Sequence, residues 1–149
     1  MGLVLDPRDV QRILGGLLNR KVKVASSKAK PDHPATRRAL VNDENGLVAV
    51  IASDLAFAQR SGAAVALMPP AMVKQVAEVP DEDLMENYIE VANVLSRVVN
   101  EASRARVRID PDLKVPLSQM QALIDACGCT AFDVDIEDYG TGAVAVWHG

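Results

Sequence analysis

PDEDLMENYIEVANVLSRVVNEASR, residues 80–104, is the stretch from which the rest of the chain is read. Pro80-Asp-Glu-Asp83 sets a proline and three acids where a helix N-terminus favours them, and neither glycine nor proline interrupts residues 81–104. Leu84, Tyr88, Val91, Leu95, Val98 and Ala102 recur on one face, and Ile89, Ala92 and Val99 widen it. This spacing predicts a long helix that is mostly buried. The opposite stripe carries Glu86, Glu90, Asn93 and Arg97 at spacings of four, three and four, so the four side chains project from one ridge.

A helix of this length needs partners, and the sequence before it supplies them. Asp6-Pro7 has the form of a capped helix start, and Val10, Ile13, Leu14, Leu17 and Leu18 repeat at helical spacing to about Asn19. Gly15-Gly16, inside that pattern, is expected to mark close packing. Lys21 to Val24 alternates as a strand does. Residues 25–36, rich in Ser, Lys, Pro and Asp, read as a solvated loop, with Arg37 and Arg38 just beyond. Ala39–Val41 and Leu47–Ala52 flank an Asn-Asp-Glu-Asn-Gly turn and form a hairpin. Ser53-Asp54 caps an Ala-rich helix from Leu55 to about Met68, with Gly62 as its weak point and Pro69-Pro70 as its stop.

After the long helix, Arg106–Ile109 reads as a strand, Asp110-Pro-Asp112 as a turn, and Leu117–Ala126 as a short helix with Met120, Leu123 and Ile124 inward. In the C-terminal segment Phe132, Val134 and Ile136 alternate with Asp133, Asp135 and Glu137; Tyr139-Gly-Thr-Gly142 turns the chain, and Ala143–Trp147 returns. That is a hairpin with one apolar and one acidic face; the acidic row is expected to face solvent, with a divalent cation as the alternative. Helices and hairpins are segregated and no linker divides the chain, so the expectation is a single α+β domain over residues 1–149, with long helices packed on an antiparallel sheet.

Composition narrows the function. The 149 residues are 49% apolar and 24% charged, as in ordinary globular chains, and the net charge is −4. A general nucleic-acid binder needs a basic footprint, which is missing. The aromatics are Phe57, Tyr88, Phe132, Tyr139 and Trp147, few for a deep small-molecule pocket. No apolar run is long enough to span a membrane, no basic leader precedes an apolar stretch at the N-terminus, and a cytoplasmic chain is expected. Cys127 and Cys129 flank a single glycine; a disulfide there would be strained, and a metal site would need further ligands that His33 and His148 do not promise from their positions. Two small buried thiols after a helix are expected instead.

No phosphate loop, nucleophile elbow or zinc motif is present. What remains is the ridge. Glu90-Val-Ala-Asn93 sets a carboxylate and a carboxamide one turn apart, Glu86 lies four residues earlier, and Pro116 follows Asn93 with 22 residues between. This set, with the order of elements across about residues 8–116, resembles the CheC–CheX–FliY phosphatases of bacterial chemotaxis, and the single motif copy resembles the CheX branch. The resemblance implies a CheC/CheX-like fold and hydrolysis of the aspartyl phosphate of a response regulator. It implies that Asn93 orients the attacking water, that Glu90 pairs with a lysine of the regulator, and that Glu86 and Arg97 meet the partner. It implies no cofactor in this chain, since the Mg²⁺ belongs to the regulator. The sequence departs from the pattern in three places: Glu86 stands where the family has Asp or Ser, Arg97 where it has a glycine, and Leu117–Ala126 is helical where it continues as strand. The alternative is a non-catalytic interaction module on the same scaffold, a homodimer or a flagellar-switch-like piece, with the ridge an ordinary solvated face.

Overall fold

The computed structural model describes residues 5–27, 36–44, 46–76, 81–103, 106–110 and 115–148. Its elements are α1 (Pro7–Leu18), β1 (Val22–Ser27), β2 (Thr36–Val41), β3 (Leu47–Ser53), α2 (Leu55–Val65), α3 (Pro70–Val76), α4 (Glu82–Ser103), β4 (Arg108–Ile109), α5 (Leu117–Ala126), β5 (Gly128–Ile136) and β6 (Gly140–His148). The strands form one six-stranded sheet in the order β1-β5-β6-β3-β2-β4, antiparallel throughout. Helices α1, α2 and α4 pack on one face and α5 on the other. The α+β expectation, long helices on an antiparallel sheet, is met.

The inner face holds the main core. The α4 stripe of Leu84, Tyr88, Val91, Leu95 and Val98 is buried against Leu14 and Leu18 of α1, Phe57 and Ala63 of α2, and Ile51, Phe132, Val134, Val144 and Val146 of the sheet. Phe57 meets Tyr88 edge-on, centroids 6.0 Å apart and planes at 88°, the geometry that the ring quadrupoles favour. The Tyr88 hydroxyl lies beside those of Ser53 and Thr36 without a well-aligned hydrogen bond, and burial pushes its pKa up. The weak point expected at Gly62 is a requirement instead: a Cβ there would collide with the Leu84 carbonyl, so glycine lets α2 and α4 approach. At Gly142 a Cβ would likewise strike the Phe57 backbone.

Side chains fix the helix starts. Asp6 accepts from the Arg8 amide at 2.9 Å, Asp54 from Phe57 at 2.7 Å, and Asp81 from Leu84 at 3.1 Å, each removing an orphan donor. Pro80, read as part of the start of α4, lies outside the described residues.

Several boundaries differ from the sequence reading. Helix α2 ends at Val65, not Met68: Ala66 closes it, Leu67 takes φ 57°, and the amides of Leu67 and Met68 return to Ala64 and Ala63, a left-handed stop that leaves Leu67 exposed. Pro70 then opens α3, since the residue that ends one helix is tolerated in the first turn of the next. Strand β1 runs on to Ser27, β2 starts at Thr36, and β5 starts at Gly128. Residues 28–35 of the expected loop, His33 included, lie outside the described residues. Arg37 and Arg38 are half-buried strand residues, not part of a solvated loop. Neither Gly15 nor Gly16 is closely packed: a Cβ at Gly16 would meet nothing within 4 Å, and one at Gly15 only the Arg20 carbonyl at 3.5 Å.

Candidate functional site

One strongly amphipathic helix both anchors and presents the ridge. Because Leu84, Tyr88, Val91, Leu95 and Val98 are locked in the core, the opposite side of α4 must face solvent, and Glu86, Glu90, Asn93 and Arg97 are all exposed. None of the four side chains has a hydrogen-bond or ion-pair partner among the described residues. Under Asn93, the Ser96 hydroxyl donates to the Asn93 carbonyl at 2.6 Å and is itself buried.

The structure extends the ridge by one residue that the sequence reading missed. Glu101 stands four after Arg97 on the same stripe, and the signal was that spacing. Its carboxylate accepts from Arg12 of α1 at 3.5 Å, and Arg12 also lies 4.0 Å from Asp9. Between α4 and α1 runs a shallow groove lined by Arg12, Ile13, Gly16, Leu17, Val94 and Arg97. Arg97 therefore borders this groove, while Glu86, Glu90 and Asn93 stand clear of it. Pro116, the fourth residue of the sequence signature, is exposed at the start of α5.

Chemically, the ridge offers two carboxylates, an amide that can both donate and accept, and one guanidinium on a rigid support. No deep pocket accompanies it among the described residues. The acidic row of β5 is separate: Asp133, Asp135 and Glu137 are exposed on the other face, and Asp135 lies opposite Lys23 in the ladder. Cys127 and Cys129 form no disulfide and are half-exposed, not buried as expected. His148 is half-buried. It ends β6 opposite Gly128, its Nε2 lies 2.9 Å from the Thr130 hydroxyl, and burial lowers its pKa. Among the described residues no three His, Cys, Asp or Glu side chains converge as a metal site, and no helix is long and apolar enough to cross a membrane.

No protein-family model matches the chain, and no curated protein matches it in sequence. Solved structures do resemble it. The FliM middle domain from H. pylori superposes with a TM-score of 0.66 at 7% identity, covering 95% of this chain and 84% of that one. The FliG–FliM complex from H. pylori gives 0.59 at 9% identity, over 95% and 85%. Thermotoga maritima FliY gives 0.53 at 14% identity, over 99% and 92%. The chain thus has the fold of FliM middle domains and of FliY, the architecture that the resemblance of the ridge motif implies.

Proposed function

We propose that this chain docks its α4 ridge on a phosphorylated response regulator and hastens hydrolysis of the aspartyl phosphate, as a CheX-like phosphatase. The observation that supports this reading is the pair Glu90 and Asn93: one turn apart, exposed, and unengaged by the rest of the described chain. Hydrolysis of an acyl phosphate needs an in-line water and stabilised charge, with little covalent help. In this reading Asn93 enters the regulator's site and holds the water through its amide, and Glu90 pairs with the lysine there. Glu86 and Arg97 flank the contact. The Mg²⁺ is the regulator's, so this chain brings no cofactor. A ridge on a helix anchored by its own core suits the task, because positional precision is what such a catalyst contributes. A cytoplasmic setting goes with this reading.

The test adds the protein to an acyl-phosphorylated regulator and compares it with Asn93→Ala. The expected result is faster dephosphorylation that falls on the order of 100-fold in the variant. Equal rates for the two proteins refute the role of Asn93.

Two observations favour a second reading, a non-catalytic interaction module of flagellar-switch type. Arg97 stands where the resembled family carries glycine, and the similar H. pylori FliM domain is seen in a complex with FliG. This reading calls for stable assembly, as a homodimer or with another protein, and no effect on the dephosphorylation rate. Arg97→Gly separates the two, since a gain of activity would identify Arg97 as the obstacle to the first.

A further inference from the structure

We infer that the groove between α1 and the free edge of β1 receives an extended, acidic segment of another protein, which adds to the sheet as a further strand. This inference is independent of the ridge and of any phosphatase activity.

Among the described residues β1 is the terminal strand of the sheet and pairs only with β5. The phase of its backbone is fixed twice over. Glu137 donates its amide to the Lys21 carbonyl at 3.0 Å, so Lys21, Lys23, Ala25 and Ser27 turn their backbone groups toward β5. Val22, Val24 and Ser26 therefore turn theirs outward. The side chain of Gln11, on α1, confirms the phase by accepting from the Val24 amide at 3.1 Å. A carboxamide thus occupies the central outward donor, in the place that a partner strand's carbonyl would take. The amides of Val22 and Ser26 flank it.

The space beside this edge is a groove of about 430 Å³, with α1 as its second wall. Gly15 opens that wall, and Arg8, Arg12, Arg20, Lys21 and Lys23 line the groove. A helix beside a free strand is the geometry in which a peptide gains main-chain hydrogen bonds from the strand and side-chain contacts from the helix. The charge selects the occupant. In a chain of net charge −4, five cations meet at one edge. Arg8 and Arg12 have exposed rim partners in Asp6 and Glu101, pairs that exchange readily, whereas Arg20 is half-buried, paired with Asp138 and stacked on the Tyr139 ring. Lys21 and Lys23 lie across the ladder from Glu137 and Asp135 but form no ion pair within 4 Å among the described residues, which leaves both ammonium groups free to turn to an incoming strand. A second copy docking on this edge would bring a like-charged set of cations alongside these, which disfavours self-association, whereas an acidic strand is matched to them.

The experiment selects binders of the full chain from a phage-displayed library of random linear octapeptides, then repeats the selection with Ser26→Pro and with Lys23→Glu. Proline at this exposed position removes an outward amide without touching the β5 ladder. The expected winners carry Asp or Glu at alternate positions and shift the Val22, Val24 and Ser26 amide resonances on titration. They bind at least tenfold more weakly to Ser26→Pro at an unchanged melting temperature, and more weakly to Lys23→Glu. Lys23→Glu keeps every backbone group, so it reads the charge selection if the proline variant fails to fold. The proposal is overturned by winners without acidic enrichment, by equal binding to both variants, or by sedimentation showing that the chain dimerises through this edge.

Discussion

The two faces of the sheet are covered by very different numbers of helices. On the inner face α1, α2 and α4 bury Phe57, Tyr88, Leu84, Leu14 and most of the inward strand residues to below 2% exposure. On the outer face α5 is the one helix among the described residues that covers Ala39, Val50, Ala52, Ala131, Ala145 and Trp147, with Leu47 and Val115 beside it. Of its own side chains only Met120 is buried, while Leu123 and Ile124 are half-covered and Leu117 is 59% exposed. The contrast separates stability from presentation. The helix that carries the ridge is seated on the thick face, so changes along the ridge leave its seat intact.

Three substitutions probe this difference. The largest effect belongs to the inner face at the α2–α4 crossing. Gly62→Ala drives a methyl group into a backbone carbonyl that cannot rotate away, and is expected to cost about 3 kcal/mol or more in denaturant unfolding. A loss under about 0.5 kcal/mol would show that the two helices can part without consequence. Next come truncations matched across the sheet. Phe57→Ala, fully buried, should cost roughly 3–5 kcal/mol, and Met120→Ala, on the single helix of the outer face, nearer 2. Equal losses would mean that the outer face is as well packed as the inner one.

The smallest expected effect is a pH dependence at the sheet's C-terminal end. Burial holds the His148 imidazole below its usual pKa, so the folded chain keeps it neutral where the unfolded chain already takes up a proton. Stability is therefore full above about pH 6.5, declines as the pH falls below that value, and levels off beneath the lowered folded pKa. His148→Gln should flatten this part of the curve in thermal melts between pH 5 and 8, and an unchanged slope would assign the dependence to another group.

Much of the thick face was readable because its elements have strong periods of their own. The stripe of α4 and the start of α1 are local patterns, and local patterns survive in a sequence. The ridge followed from the same helical spacing, which also held Glu101 in plain view. Other parts depend on partners far along the chain. Ala25, Ser26 and Ser27 have little strand preference; they are extended because Ser26 and Ser27 meet Phe132 and Ala131. Gly128 to Thr130 are held similarly by Val146, Trp147 and His148. The need for Gly62 is visible only once α4 lies across it. Helix α3 was hidden because Pro70 both forbids the continuation of one helix and favours the start of another.

The register of β1 also bears on how the protein is made. Val22 pairs with Ile136 and Ser27 with Ala131, so among the described strands β1 finds its neighbour only in β5, far later in the sequence. During synthesis α1 and β1 leave the ribosome early and must wait, while β2 and β3 can close at once as a local hairpin. The last strands thus complete the sheet and capture the first one. A nascent chain stalled before Phe132 would hold β2 and β3 together and leave β1 without a neighbour, exposed to proteases and chaperones until the C-terminal hairpin arrives.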